Sequence, residues 1–260
     1  MQKRNTVSAG MDHDSNHDRR SIQVIERAAA ILRALQSGSG GLSLGEISKT
    51  VELPRSTVQR IVDALAKEGL VIASSSGSGV RLGPALIPLG AATRYPLTEM
   101  ARPTLENLAQ RTGESVDLSI ANQVRMVFLD QIASTHRLSA VSAIGVSFPL
   151  HCSANGKAAL ALMTGEELAR TRKSLALSAF TKNTITSWEA LEKELEEIRR
   201  SGIAYDREEQ SAGICAIAKG FRLPTGELAS ISIPVPSVRF GASEAMLAEA
   251  IESECRLFSK

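Results

Sequence analysis

Residues 42–71 read LSLGEISKTVELPRSTVQRIVDALAKEGLV. Ser43 and Glu46 stand at capping-box spacing: the Ser43 hydroxyl can accept from the Glu46 backbone N–H, and the Glu46 carboxylate can accept from the Ser43 N–H. A short helix from Leu44 to Val51 follows, then a turn at Glu52-Leu53. Pro54 suits the first position of the next helix, because its missing N–H has no intrahelical role there. In that helix, Pro54 to Glu68, Val58, Ile61, Val62 and Leu65 fall at i, i+3, i+4 and i+7 and form a core stripe. The opposite face carries Ser56, Gln59, Arg60, Asp63 and Lys67, flanked by Arg55 and Thr57. Gly69 ends it. Two helices joined by a tight turn, the second showing hydroxyls, an amide and arginine outward, predict a helix-turn-helix. A recognition helix enters a major groove roughly 12 Å wide and presents donors near its N-terminus. Arg60 has the fork for guanine and Gln59 the paired amide for adenine; the competing reading is an ordinary polar surface helix.

The flanks favour DNA. Upstream, Val24, Ala28, Ile31, Leu32 and Leu35 mark one helical face, with Ser21 as the expected cap and Gly38, Gly40 and Gly41 as the stop. Downstream, Leu70-Val71-Ile72 and Val80-Arg81-Leu82 flank a Ser/Gly tip and predict a hairpin. Three helices and a hairpin make a winged helix over residues 21–83. Arg81 on the wing, Arg27, Arg55 and the arm's Arg19 and Arg20 are candidates for phosphate. Residues 1–20 are polar and without periodicity, so a disordered arm is expected. His13 and His17 lie there, four apart, and read as part of a solvated tail rather than as metal ligands.

The chain has 260 residues, 43% hydrophobic and 22% charged, enough for two ordinary domains. Its net charge of +2 divides unevenly. Residues 1–95 carry 12 Lys+Arg against 8 Asp+Glu, and the remainder 18 against 20. A basic module joined to a slightly acidic one fits a polyanion reader attached to something else. No apolar stretch reaches the roughly 20 residues of a membrane span, and no apolar segment follows the polar start. Three cysteines, Cys152, Cys215 and Cys255, argue against a disulfide framework and for a reducing cytoplasm.

The second half alternates strands and helices without a regular βαβ repeat, which predicts an α+β sheet domain. Pro84 to Arg94, with Leu86, Ile87, Leu89 and Gly90, reads as a helix inside a linker spanning 84–97. A helix over Thr98–Arg111 is expected to restart at Pro103. Strands are expected at Ser115–Ala121, Met126–Gln131, Leu138–Ile144, Ile203–Asp206, Ile214–Ala218 and Leu228–Val235. Helices are expected at Asn155–Met163 and Glu166–Leu175, after the Ser187 cap, and from Ser243 to about Phe258.

SIQVIERAAAILRAL, the stretch quoted above and VRLG resemble the DNA-binding half of IclR-type transcriptional regulators. TGESVDLSIANQVRMVFLDQI, PLHCSANGKAALA and GIAYDREEQSAGICAIA resemble landmarks of that family's ligand-sensing domain, in the expected order over roughly residues 21–258. The resemblance implies a winged helix-turn-helix followed, over 98–260, by a GAF-like antiparallel sheet with helices on one face and a ligand cavity on the other. It implies subunits paired partly through the linker, as dimers or dimers of dimers. It nominates Ala154, Asn155, Asp206, Ile214, Ala216, Ser232 and Pro234 as effector-binding positions. The N–H groups of Ala154–Gly156 open a helix and can hold a carboxylate, and Ser232 can donate. Family members often carry Cys or Ser where Ala216 stands, and a small polar residue where Pro234 stands. The pocket is therefore expected to be less polar and to favour a partly apolar, even aromatic, acid.

The partners implied are a double-stranded DNA operator, a small organic acid and a second copy of the chain; repressor and activator would use the same contacts. No cofactor, metal or membrane is called for. No nucleophile-elbow, P-loop or zincin motif is present. His151-Cys152 is not a nucleophile pair if the two lie on a strand, where neighbours face opposite sides. Cys152, Cys215 and His151 match no standard zinc spacing, and the thiols read as buried. Asp206, Glu208 and Glu209 read as a solvated loop. The alternatives are a structural nucleic-acid-binding protein without a ligand, and an enzyme with an accessory winged helix.

Overall fold

The computed structural model describes residues 12–36, 41–73, 79–92 and 96–258; side-chain surroundings are described from residue 23 onward. The chain divides into two compact units, Met1–Arg94 and Tyr95–Lys260.

The first unit contains α1 (Asp12–Gln36), α2 (Leu44–Thr50), α3 (Arg55–Lys67), β1 (Val71–Ala73), β2 (Val80–Leu82) and α4 (Leu86–Ala92). The capping box at the start of α2 forms: Ser43 N–H donates to Glu46 Oε2 at 2.8 Å, and Glu46 N–H to Ser43 Oγ at 3.2 Å. The turn into α3 uses Glu52 at φ 53°, and Ser48 Oγ donates across it to the Leu53 carbonyl. Pro54 is the residue before α3 rather than its first helical residue. Ile31, Leu35, Ile47, Val58, Ile61, Val62, Leu65, Val71 and Val80 close one core. β1 and β2 pair antiparallel, Val71 opposite Leu82, and Leu42 bridges Val80. Gly83 lies so close to the Gly69 carbonyl that a Cβ there would overlap it, which sets the wing directly against the end of α3.

Three expectations for this unit are corrected. The first helix begins at Asp12, so the predicted disordered arm is helical from residue 12. Ser21 lies inside this helix instead of capping it, and Val24 is exposed rather than part of the core. Asp, Ser and Asn near a helix start carry no apolar stripe, which is why periodicity missed this part. Residues 1–11, the glycines at 38 and 40, and the hairpin tip at 74–78 lie outside the described residues, as do the side chains of His13, His17, Arg19 and Arg20.

The second unit contains α5 (Pro96–Thr112), β3 (Val116–Asn122), β4 (Arg125–Ile132), β5 (Ser147–Pro149), α6 (Ala154–Ala161), α7 (Gly165–Arg172), α8 (Trp188–Ser201), β6 (Ala204–Arg207), β7 (Ile214–Arg222), β8 (Leu228–Pro236), α9 (Ser237–Glu254) and a final 3-10 turn, Cys255–Phe258. The sheet is antiparallel throughout, in the order β5-β4-β3-β8-β7-β6. β8 is buried along its whole length because both sheet faces are covered. Ile231, Ile233 and Val235 meet Leu105 and Leu108 of α5 and Leu247 and Ile251 of α9. Ala218 and Leu228 meet Ala158 of α6 and Leu191 and Leu195 of α8. The expected single helical layer is thus replaced by helices on both faces.

Three more expectations change. Leu138–Ile144 is a loop: Leu138, Val141 and Ile144 recur every third residue, not every second, and all three face solvent. β5 takes the place beside β4 instead. α5 runs through Pro103 without a break, held by Leu97, Ala101, Leu105 and Leu108 in the core. α9 starts at Ser237, and Ser243 Oγ donates back to the Arg239 and Phe240 carbonyls from within the helix. Ser187 caps α8 as read, and Gly202 at φ 74° ends it.

Candidate functional site

The solvent face of α3 holds the first candidate site. Burial of Val58, Ile61, Val62 and Leu65 leaves Arg55, Ser56 and Arg60 exposed and Thr57 and Gln59 half-buried. Gln59 Nε2 donates to Asp63 Oδ1 at 2.7 Å. Sequence reasoning placed both residues on this face and missed the bond, although Gln and Asp at i, i+4 spacing are a known helix pair. A groove of about 460 Å³ runs between α1 and α3, and Arg27, Thr57 and Arg60 line it together. Arg81 stands exposed on β2, opposite Ile72. The helix face therefore gathers two guanidiniums, two hydroxyls and an amide, donors suited to base edges and phosphates.

The second candidate site is the sheet face under α6. Alternation along each strand puts Asp206, Ile214, Ala216, Ser232 and Pro234 on this side. Register aligns them in rows: Asp206 opposite Ala216, Ala216 opposite Pro234, and in the next row Ala218, Ser232 and Asp117. Ser153 caps α6 and accepts from Gly156 N–H, and so does Asn155 Oδ1. Gly156 packs against the backbone of Leu150 too closely for any side chain, which fixes the helix start over the sheet. With the Gly156 N–H taken, Ala154 and Asn155 supply the remaining backbone donors at this helix end. The Asn155 amide also donates to Ser119 Oγ at 3.2 Å, and Ser119 and Ser230 hydroxyls meet at 3.0 Å. The Asn155 side chain thus holds α6 on the sheet, and its backbone N–H, the donor expected from sequence, is what this residue can offer a ligand. The Ser232 hydroxyl has no hydrogen-bond partner among the described residues.

Two buried carboxyls face this region. Burial pushes Asp206 up to about 7, although it accepts the Glu209 N–H at 2.7 Å. Burial likewise pushes Asp117 up to about 6; it accepts from Gln131 Nε2 and, at 2.8 Å, from Ser142 Oγ. Asp117, Ser119, Ser142 and Ser230 were not nominated from sequence. The signal was available: Ser230 and Ser232 alternate with isoleucines in a strand whose flanks are apolar, which puts hydroxyls on one inner face.

Of the acidic set expected to be solvated, only Glu208 is partly exposed, accepting from the Gly213 N–H. Asp206 and Glu209 are buried, and Glu209 Oε1 accepts from Lys157 Nζ at 2.6 Å; Lys157 is wholly buried and also donates to Glu194. His151 and Cys152 lie in a turn, not on a strand, and His151 Nε2 sits 3.0 Å from the Ser178 carbonyl. Burial raises the Cys152 thiol to about 12, where little nucleophilic thiolate forms. Among the described residues no group of three His, Cys, Asp or Glu is placed to hold a metal ion. No described helix is long and apolar enough to cross a membrane.

Two family models match the chain. The IclR helix-turn-helix domain covers residues 24–72, and the C-terminal part of the bacterial transcriptional regulator IclR covers residues 89–259. HTH-type transcriptional regulator Rv1719 of Mycobacterium tuberculosis is 47% identical over 230 residues, 88% of each chain. The crystal structure of Thermotoga maritima IclR matches with TM-score 0.68 and 26% identity, over 90% of this chain and 96% of that one. An IclR homologue from Microbacterium hydrocarbonoxydans, complexed with 4-hydroxybenzoate, has the same fold: TM-score 0.67, 23% identity, 90% of this chain and 99% of that one.

Proposed function

Because the chain belongs to the IclR family of bacterial transcriptional regulators, we propose that it reads a double-stranded operator with α3 and the wing and changes its hold on that operator when a small organic acid binds the face under α6. The observation that carries the DNA reading is the solvent face of α3, where Arg55, Ser56, Gln59 and Arg60 stand clear of the core. Arg60 and Gln59 contact base edges, Ser56 and Thr57 contact bases or backbone, and Arg27, Arg55 and Arg81 contact phosphates.

The effector reading rests on the free Ser232 hydroxyl, the backbone donors of Ala154 and Asn155, and the raised carboxyl of Asp206, set among apolar walls. Ile214, Ala216 and Pro234 supply no polar side-chain atom, so the face suits an acid with a hydrocarbon or aromatic body. A protonated Asp206 donates to such an acid; an ionised one repels it. One winged helix reads few base pairs, so a dimer on two half-sites is the working form. The ligand shifts operator affinity by its preference for one arrangement of the paired readers, about 1–3 kcal/mol in typical cases. Enrichment of duplexes from a randomised pool, followed by titration of the complex with 4-hydroxybenzoate, tests both halves. Failure to enrich any sequence refutes the DNA reading, and enriched DNA that no aromatic acid releases or tightens refutes the effector reading.

A further inference from the structure

α6 has a second end. About 10 Å along its axis from Ala154, its C-terminus lines a cavity of about 380 Å³ together with the end of α8, the end of β7 and the final turn. β6 pairs with β7 only from Cys215 to Ala218, so Lys219–Arg222 have no strand on that side, and this opens the space. One wall is apolar: Ala158, Leu162, Ile198, and Phe221 stacked on Phe258 with centroids 4.6 Å apart. The polar lining is cationic, with Arg199, Lys219 and Arg222 and no carboxylate.

The three cations differ. Arg222 is neutralised by Glu167 at 2.7 Å and donates to the Leu162 carbonyl. Arg199 spends Nε on the Ala161 carbonyl and has no acidic partner among the described residues. The Lys219 ammonium has neither an ion pair nor a side-chain hydrogen bond among the described residues; its charge acts on the buried Cys255 thiol. Gly202 faces it at φ 74°, and a Cβ at Gly202 would lie 3.3 Å from Lys219 Nζ, so the glycine keeps space around the ammonium.

We propose that this cavity is a second ligand site, separate from the face under α6, for an amphiphilic carboxylate: an aromatic body against Phe221 and Leu162, and its anion on Lys219 and Arg199. The size lies within the range of small-molecule sites, and the uncompensated cations select the sign of charge.

Calorimetry of the full chain with 2-naphthoate tests it. Ser232→Phe fills the first site and is expected to retain binding of one 2-naphthoate per chain. Adding Lys219→Gln weakens that binding at least tenfold, Lys219→Arg keeps it within threefold, and uncharged 2-naphthamide binds Ser232→Phe at least tenfold more weakly than 2-naphthoate. The proposal is overturned if Ser232→Phe binds no 2-naphthoate, or if Lys219→Gln leaves its affinity unchanged. A Lys219→Gln chain that changes its sedimentation without any 2-naphthoate bound to the parent assigns the face to contact between copies, and also overturns it.

Discussion

The Gln59 side-chain amide donates to the Asp63 carboxylate at 2.7 Å, one turn apart on the solvent face of α3. The bond orients the amide before any DNA arrives, so under the proposed reading Asp63 sets which of its atoms meets a base. Asp63→Ala is expected to alter preference at the same base position as Gln59→Ala. Sequence selection from a random duplex pool compares the two; changes at different positions would separate the residues.

Arg60 is exposed on the same face and borders the groove shared with Arg27. Arg60→Ala should weaken specific binding by about 1–3 kcal/mol and relax preference at one base position. Fluorescence anisotropy on matched and single-substituted duplexes measures this, and unchanged affinity and preference would move the recognition surface elsewhere.

Asp206 is a carboxyl whose folded pKa lies above its ordinary value of 3.8, at about 7. The folded state therefore holds the proton more tightly than the unfolded one. This contribution to stability is complete below 3.8 and is lost as pH rises to about 7. Thermal melts should show wild type losing stability relative to Asp206→Asn across that window. Binding of a carboxylic acid effector should weaken in the same direction, and a wild type that gains on the variant with rising pH would contradict the assignment.

Lys157 is buried between Glu209 and Glu194. Lys157→Ala leaves Glu209 buried without its cation and should cost about 3–5 kcal/mol by urea unfolding. Lys157→Met combined with Glu209→Leu removes both charges and should recover much of that loss. A double variant as unstable as Lys157→Ala would mean that the cost lies in packing.

The DNA-reading unit was legible because each of its signals is local. The Ser43–Glu46 box, the Val58–Leu65 stripe and the β1–β2 hairpin need no distant partner. The exception is the start of α1, whose polar first turns carry no periodicity. In the second unit, alternation located β3, β4 and β8, but apolar content alone made Leu138–Ile144 look like a strand. The candidate face under α6 depended on register: Asp117 reaches Ser232 only through the pairing of β3 with β8, 115 residues apart in sequence. The burial of Asp206 and Glu209 depended on Lys157, which no local pattern links to them.

The claim that one chain reads DNA with α3 and senses an acid beneath α6 is tested most directly with Ser232→Phe. Operator affinity is measured by anisotropy for wild type and variant, each with and without 4-hydroxybenzoate. The account predicts equal affinities without the acid, a roughly 5–150-fold change for wild type with it, and no change for the variant. An equal response of both proteins, or loss of DNA binding by Ser232→Phe alone, would contradict it.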